Sequence, residues 1–195
     1  MASIVKWHEQ TSLSLCLWAA AGSVVLQTLI LLAMGHPSIC TCGYVELWHG
    51  NPSGPETSQH LTDWYTYTHV LHGIGFYFFL WLIAPRTPFA LRLALAIGVE
   101  AAWEVIENTP FVLERYRQSA LARGYFGDSV INSVFDTFAT MLGFVLTRIL
   151  PVWSIIMLAI AIELFLGYMI RDNLILNIVQ LIHPSETVTR WQTGW

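Results

Sequence analysis

Charge is scarce in this sequence. Only 11% of its 195 residues are Asp, Glu, Lys or Arg, against about 25% in a typical soluble domain. No basic run occurs and the formal net charge is only −4, which argues against a nucleic-acid partner. Long polar stretches are missing too. None exceeds about 35 residues, below the size that usually folds alone, so no separate soluble domain is expected. There is no Gly-rich phosphate loop, nucleophile elbow or zincin motif, and no internal repeat of the kind on which many transporters are built. Between Gly35 and Thr66 there is neither Lys nor Arg, a pattern that favours the non-cytoplasmic side of a membrane.

What the chain has instead is apolar length. Hydrophobic residues make up 55%, nine are Trp, and the mean hydropathy is +0.55. Trp anchors helix ends at a membrane interface. Five apolar runs, at about 13–34, 67–84, 89–108, 128–150 and 151–170, each approach the ~20 residues that cross a bilayer. The expected fold is all-α: one integral domain over residues 1–195, a polytopic transmembrane helical bundle of about five spanning helices, with a C-terminal amphipathic helix at the interface over Leu174–His183. The first run is too long for the apolar core of a signal peptide, so it reads as a retained helix, with the N-terminus and Lys6 on the cytoplasmic side. Pro110 ends the third run, because a residue before proline avoids the helical region, and Phe111–Gly127 reads as a polar connector. Asp128 is the expected N-cap of the fourth helix, and Pro151 can open the fifth. Cys16, inside the first run, reads as a small buried apolar residue.

Intramembrane ionisable groups are expensive, about 2.5–3.5 kcal/mol each near the bilayer centre on insertion scales, and mark functional sites by default. Glu100, Glu104 and Glu107 follow one another at spacings of four and three, so on a helix they share a face. His69 and His72 open the second helix. Asp128, Asn132, Asp136 and Thr140 form one stripe at intervals of four. Because successive helices alternate direction, all these groups fall in the same half of the bilayer, with Asn108, Glu163 and the Arg171-Asp172-Asn173 triplet. Glu100, Asp136 and Glu163 each lie eight residues from the helix end on that side, or roughly 12 Å below one surface at about 1.5 Å per residue. The expectation is that these acids meet in one wet hollow.

Like charges at short range cannot all stay ionised. Three readings of the hollow stand open: a divalent metal such as zinc, proton or ligand binding without metal, or structural hydrogen bonding. His69 and His72, three apart on one helix face, with Glu104, could ligate a metal; Glu100, Glu104 and Asp136 are the candidate catalytic groups; Glu107, Asn108, Asp128, Asn132, Glu163, Arg171 and Asp172 are the candidate binding groups. Arg115 and Arg117 could hold a lipid phosphate or be solvated surface charges. Cys40 and Cys42 could take zinc with His36 and His49, but their spacing fits no strong template, and free or loosely paired thiols are expected.

The segments Gly35–Tyr44, Trp48–Gly50, Ser58–His60, Asp63–Tyr65, Glu100–Asn108, Gly127–Ser133 and Gly167–Asn173 together resemble a family of bacterial inner-membrane proteins of the domain-of-unknown-function type. The resemblance covers nearly the whole chain. It implies a multi-pass protein of the bacterial cell membrane and supplies no activity or catalytic residue.

The expected function is a membrane-embedded hydrolase or transferase, metal- or proton-dependent, acting on a lipid or lipid-linked substrate, with the first loop and the tail covering the site. The alternative is a non-enzymatic accessory subunit of a membrane complex, or a small transporter.

Overall fold

The structure, a computed structural model, describes residues 11–118, 121–122 and 124–193. The arm bearing Lys6, the connector residue Arg123 and the terminal Trp195 lie outside the described residues. Among those described there are eight helices and no strand: α1 Leu13–Ala33, α2 Thr66–Ile83, α3 Phe89–Glu107, α4 Pro110–Tyr116, α5 Val130–Ile149, α6 Val152–Ile170, α7 Leu174–Ile182 and α8 Glu186–Thr193. The five long helices match the five apolar runs to within two residues at each end.

Three of them, α1, α5 and α6, are long and apolar enough to cross a membrane by composition alone. The other two, α2 and α3, have 18 and 19 residues, but they carry His69 and His72, and Arg92, Glu100, Glu104 and Glu107. Half of the apolar window of α5 is buried, against 17% for α1 and 22% for α6. That places α5 at the centre, with α1 and α6 presenting apolar side chains outward.

The tightest contact is between α2 and α5. A Cβ on Gly73 would stand 2.0 Å from the carbonyl oxygen of Thr140, and one on Gly143 would stand 2.0 Å from that of Val70. Small residues let helix backbones approach this closely where no hydrophobic force separates helix from lipid. The hydroxyl of Thr140 donates to the backbone carbonyl of His69 at the same crossing, at 2.9 Å. Gln27 ties α1 to α5: its amide nitrogen donates to the Ser133 carbonyl at 3.0 Å and to the Ser133 hydroxyl at 2.7 Å, while its oxygen accepts from Thr137 at 2.9 Å.

Several local expectations are corrected. Ser129, not Asp128, caps α5, accepting from Asn132 N. Asp128 is drawn off by the side chains of Asn108 and Tyr125. The connector after Pro110 is not wholly irregular, because proline at the first position is preorganised for helix and α4 starts there. The chain turns at Arg171 through a left-handed conformation, φ 55°, and a second short helix, α8, follows α7.

The first loop caps the N-terminal end of α5. Ser129 N donates to Ser58 O, Val130 N to Pro37 O, and Asn132 Nδ2 to His60 O. Cys40 and Cys42 are joined in a disulfide, not held as free thiols. His36 is not near them in function, since its ring nitrogens lie 3.1 Å from the carbonyls of Asp128 and Asn108. His60 and Glu56 stand beside the two sulfurs instead. The Glu46 backbone N–H donates to His60 Nδ1, so Nε2 carries the proton and faces Glu56 at 3.2 Å. Cys16 is buried, as its place in α1 implied.

Candidate functional site

The site is built where α2, α3 and α5 meet. One helical turn separates His69 from His72, so both rings leave the same face of α2. One turn separates Glu100 from Glu104 on α3, and Asp136 faces them from α5. Glu100 and Glu104 are fully buried, Asp136 is 3% exposed and His69 is 6% exposed. The glycine crossing sets α2 against α5, and the Ser133 hydroxyl joins α5 to Glu104 of α3.

His69 is the hub. Its Nδ1 lies 2.6 Å from Glu100 Oε1 and 3.3 Å from Glu104 Oε1, and its Nε2 lies 3.8 Å from Asp136 Oδ2. His72 Nδ1 lies 3.1 Å and 3.2 Å from the two oxygens of Glu100. Glu104 Oε2 accepts from the Ser133 hydroxyl at 2.7 Å. Glu104 Oε1 and Asp136 Oδ1 have no hydrogen-bond partner among the described residues, and buried polar atoms are rarely left so.

These distances fix the roles of the two rings. An ionised carboxylate only accepts, so both histidines present Nδ1–H to Glu100. In a neutral ring Nε2 is then the acceptor nitrogen, the arrangement in which a carboxylate behind an imidazole sets its tautomer and aim. His69, His72 and Asp136 line a cavity of about 100 Å³, whereas Glu100 and Glu104 do not. The sequence reading placed Glu100 and Glu104 at the chemistry; the geometry sets them one layer behind it. Two sets of donor atoms lie within 4.8 Å of one another, His69 with His72 and Glu100, and His69 with Glu104 and Asp136.

The remaining expected residues divide. Glu107 and Asp172 line the cavity; Tyr116 bonds Glu107, and Asp172 accepts from Tyr65 Oη at 3.2 Å and from Asn173 N at 3.0 Å. Burial pushes the Asp172 carboxyl up to about 6. Asp128 also borders the cavity, but it and Asn108 are a reciprocal pair, Asn108 Nδ2 donating to Asp128 Oδ2 at 2.6 Å and Asp128 N donating to Asn108 Oδ1 at 2.7 Å. Asn132 turns to the loop carbonyl of His60. Glu163 does not join the cluster. Its two oxygens accept from Leu174 N at 3.2 Å and Ile175 N at 3.4 Å, satisfying orphan donors at the start of α7. Arg171 reaches the carbonyl of Trp191. Arg115 is committed to the carbonyls of Leu181 and Ile182, both at 2.8 Å, and Arg117 to that of Tyr125, so neither guanidinium is set for a lipid phosphate. Sequence reasoning passed over Ser133, Gln27, Thr57 and Gln192. Ser133 and Gln27 carried a signal, as polar residues inside apolar runs; the other two carried none.

A family profile described as "Protein of unknown function (DUF2585)" matches residues 31–194. The chain is 48% identical to a UPF0314 protein of Agrobacterium fabrum over 175 residues, 90% of this chain and 88% of that one. It is 49% identical to a UPF0314 protein of Paracoccus denitrificans over 177 residues, 91% and 92% of the two chains, and 45% identical to one of Rhizobium meliloti over 186 residues, 95% and 94%. No solved structure matches. From the profile and from relatives of nearly equal length, the chain belongs to the DUF2585 family of bacterial proteins, which the UPF0314 proteins represent.

Proposed function

We propose that this is a multi-pass protein of the bacterial inner membrane, N-terminus inside, and a metal-dependent hydrolase or transferase acting on a lipid or lipid-linked substrate from the outer face. His69 Nε2 and Asp136 Oδ2, 3.8 Å apart, with His72 in the same cavity wall, would hold the ion, and Glu100 orients both rings. The observation that carries this reading is the paired use of Glu100: one buried carboxylate accepts Nδ1–H from two histidines whose rings line a cavity together with Asp136. Two imidazoles, a carboxylate and an open position suit zinc, which activates water and polarises an ester or phosphoester. The loop without Lys or Arg supports the orientation. The wall formed by α7 supports lipid entry, since Leu174, Ile178 and Leu181 face the cavity while Ile175 and Ile182 are exposed outward.

The test is metal analysis of protein purified in detergent after loading with Zn²⁺ and exhaustive dialysis. The expected result is one bound ion per chain, lost in His69→Ala and in Asp136→Asn variants that retain the helical circular-dichroism signal. Binding that survives both substitutions overturns the assignment.

A further inference from the structure

We propose that the cavity beside His69, His72 and Asp136 takes an uncharged, hydroxyl-rich headgroup, a glycosyl unit carried on a lipid anchor. This rests on the reading of the site given above and adds the class of its substrate.

The first ground is the set of unsatisfied acceptors in the cavity wall. Thr57 Oγ1, Gln192 Oε1 and Asp136 Oδ1 are each buried without a hydrogen-bond partner among the described residues, and all three side chains line the cavity. Thr57 and Gln192 are 7% exposed and Asp136 is 3% exposed. They come from the first loop, α8 and α5, three separate parts of the chain, so one ligand filling the space would meet all of them. Buried polar atoms require partners, and two of these three atoms can only accept. The missing ligand must therefore bring several donors. Hydroxyl groups do so; an ionised phosphate or carboxylate brings none.

Charge is the second ground. Four acids border the space, Glu107, Asp128, Asp136 and Asp172, and the one guanidinium among the described residues that line it, that of Arg115, donates to the carbonyls of Leu181 and Ile182. Away from the ion, an anionic headgroup would face the carboxyls of Glu107, Asp128 and Asp172. Aromatic surface is the third. Trp103, Tyr65 and Tyr116 stand in the wall, offering flat apolar faces for the C–H side of a sugar while their polar tips stay wet. The lipid anchor follows from α7, which lines the cavity with Leu174, Ile178 and Leu181 and exposes Ile175 and Ile182.

Native mass spectrometry of the full chain, released from nanodiscs of phosphatidylcholine, tests the proposal by counting bound lipid. Monoglucosyl diacylglycerol, phosphatidylglycerol and phosphatidylethanolamine are added in equal amounts. The glucosyl lipid is expected to be retained over each of the others, by about tenfold for each acceptor it satisfies. Thr57→Val and Gln192→Leu are each expected to lower that preference without moving the thermal midpoint downward. Methyl glucoside, added to the same nanodiscs, is expected to compete poorly. Equal or stronger retention of phosphatidylglycerol, a preference for the amine headgroup, a preference indifferent to both substitutions, or full competition by methyl glucoside overturns the proposal. The readout is binding alone, so a protein that holds no metal can still pass or fail it.

Discussion

Replacing Glu100 with Gln separates an orienting carboxylate from a metal ligand. In the native site Oε1 accepts from His69 Nδ1 at 2.6 Å, and His72 Nδ1 sits 3.1 Å and 3.2 Å from Oε1 and Oε2. A glutamine keeps one acceptor. With its oxygen in the Oε1 position it still serves His69, but it sets an NH₂ group 3.2 Å from the His72 Nδ1–H, donor against donor. His72 relieves this by moving its proton to Nε2, and that nitrogen is then lost to the ion. Removal of such an outer partner lowers metal affinity by about 10–100-fold, or roughly 1.4–2.8 kcal/mol. Zinc competition against a chromophoric chelator, in detergent at neutral pH, measures it. Asp136→Asn, which removes a direct ligand, is expected to lose more. If Glu100→Gln is folded and binds zinc as tightly as the parent, Glu100 orients nothing. If its loss equals that of His69→Ala, Glu100 is itself a ligand and the assigned layers are wrong.

Three other outcomes are expected. Gly143→Ala places a methyl group against the Val70 carbonyl, 2.0 Å away; the helices must part, and thermal unfolding in detergent should show a loss of about 1–3 kcal/mol, with an unchanged midpoint refuting the close crossing. Gln27→Leu strips three hydrogen bonds from the α1–α5 contact and should lower stability by about 1–3 kcal/mol by leaving buried partners unmet, while leaving the helix content by circular dichroism unchanged. Asp172 has a carboxyl raised to about 6 from an ordinary 3.8. The folded state therefore keeps a proton that the unfolded chain has already released, so its stabilising share is whole below the lower value and fades as pH rises through the upper one, by at most about 3 kcal/mol. The neutral Asp172→Asn variant should lack this slope when midpoints are followed across that window, and matching slopes would dismiss the burial of Asp172 as its cause.

The helices were legible because their signal is local. An apolar run of bilayer length, ended by Pro85 and Pro88 or by Pro110, needs no partner to declare itself. The meeting of Glu100, Glu104 and Asp136 with His69 was legible for a coarser reason: alternating helices put their polar ends on one side, and burial cost then turns polar faces inward. Glu163 obeyed the same depth rule and still went elsewhere. The chain reverses after Ile170, and the bare N–H groups at the head of α7 claimed its carboxylate. Arg115 was likewise claimed by the carbonyl ends of α7, and Asp128 by Asn108 and Tyr125. Each of these competitors is a backbone group or a side chain remote in sequence, and no spacing in the chain announces it.

Taken alone, the order of residues determined an all-helical protein with apolar runs of membrane length, and the end of the helices at which its acids collect, since both follow from hydrophobic length and chain direction. Only the tertiary structure decided which acids face a cavity, which stand behind the histidines and which merely cap a helix. A carboxylate takes whichever donors come within about 3 Å of it, and packing of distant segments, not sequence spacing, sets that distance.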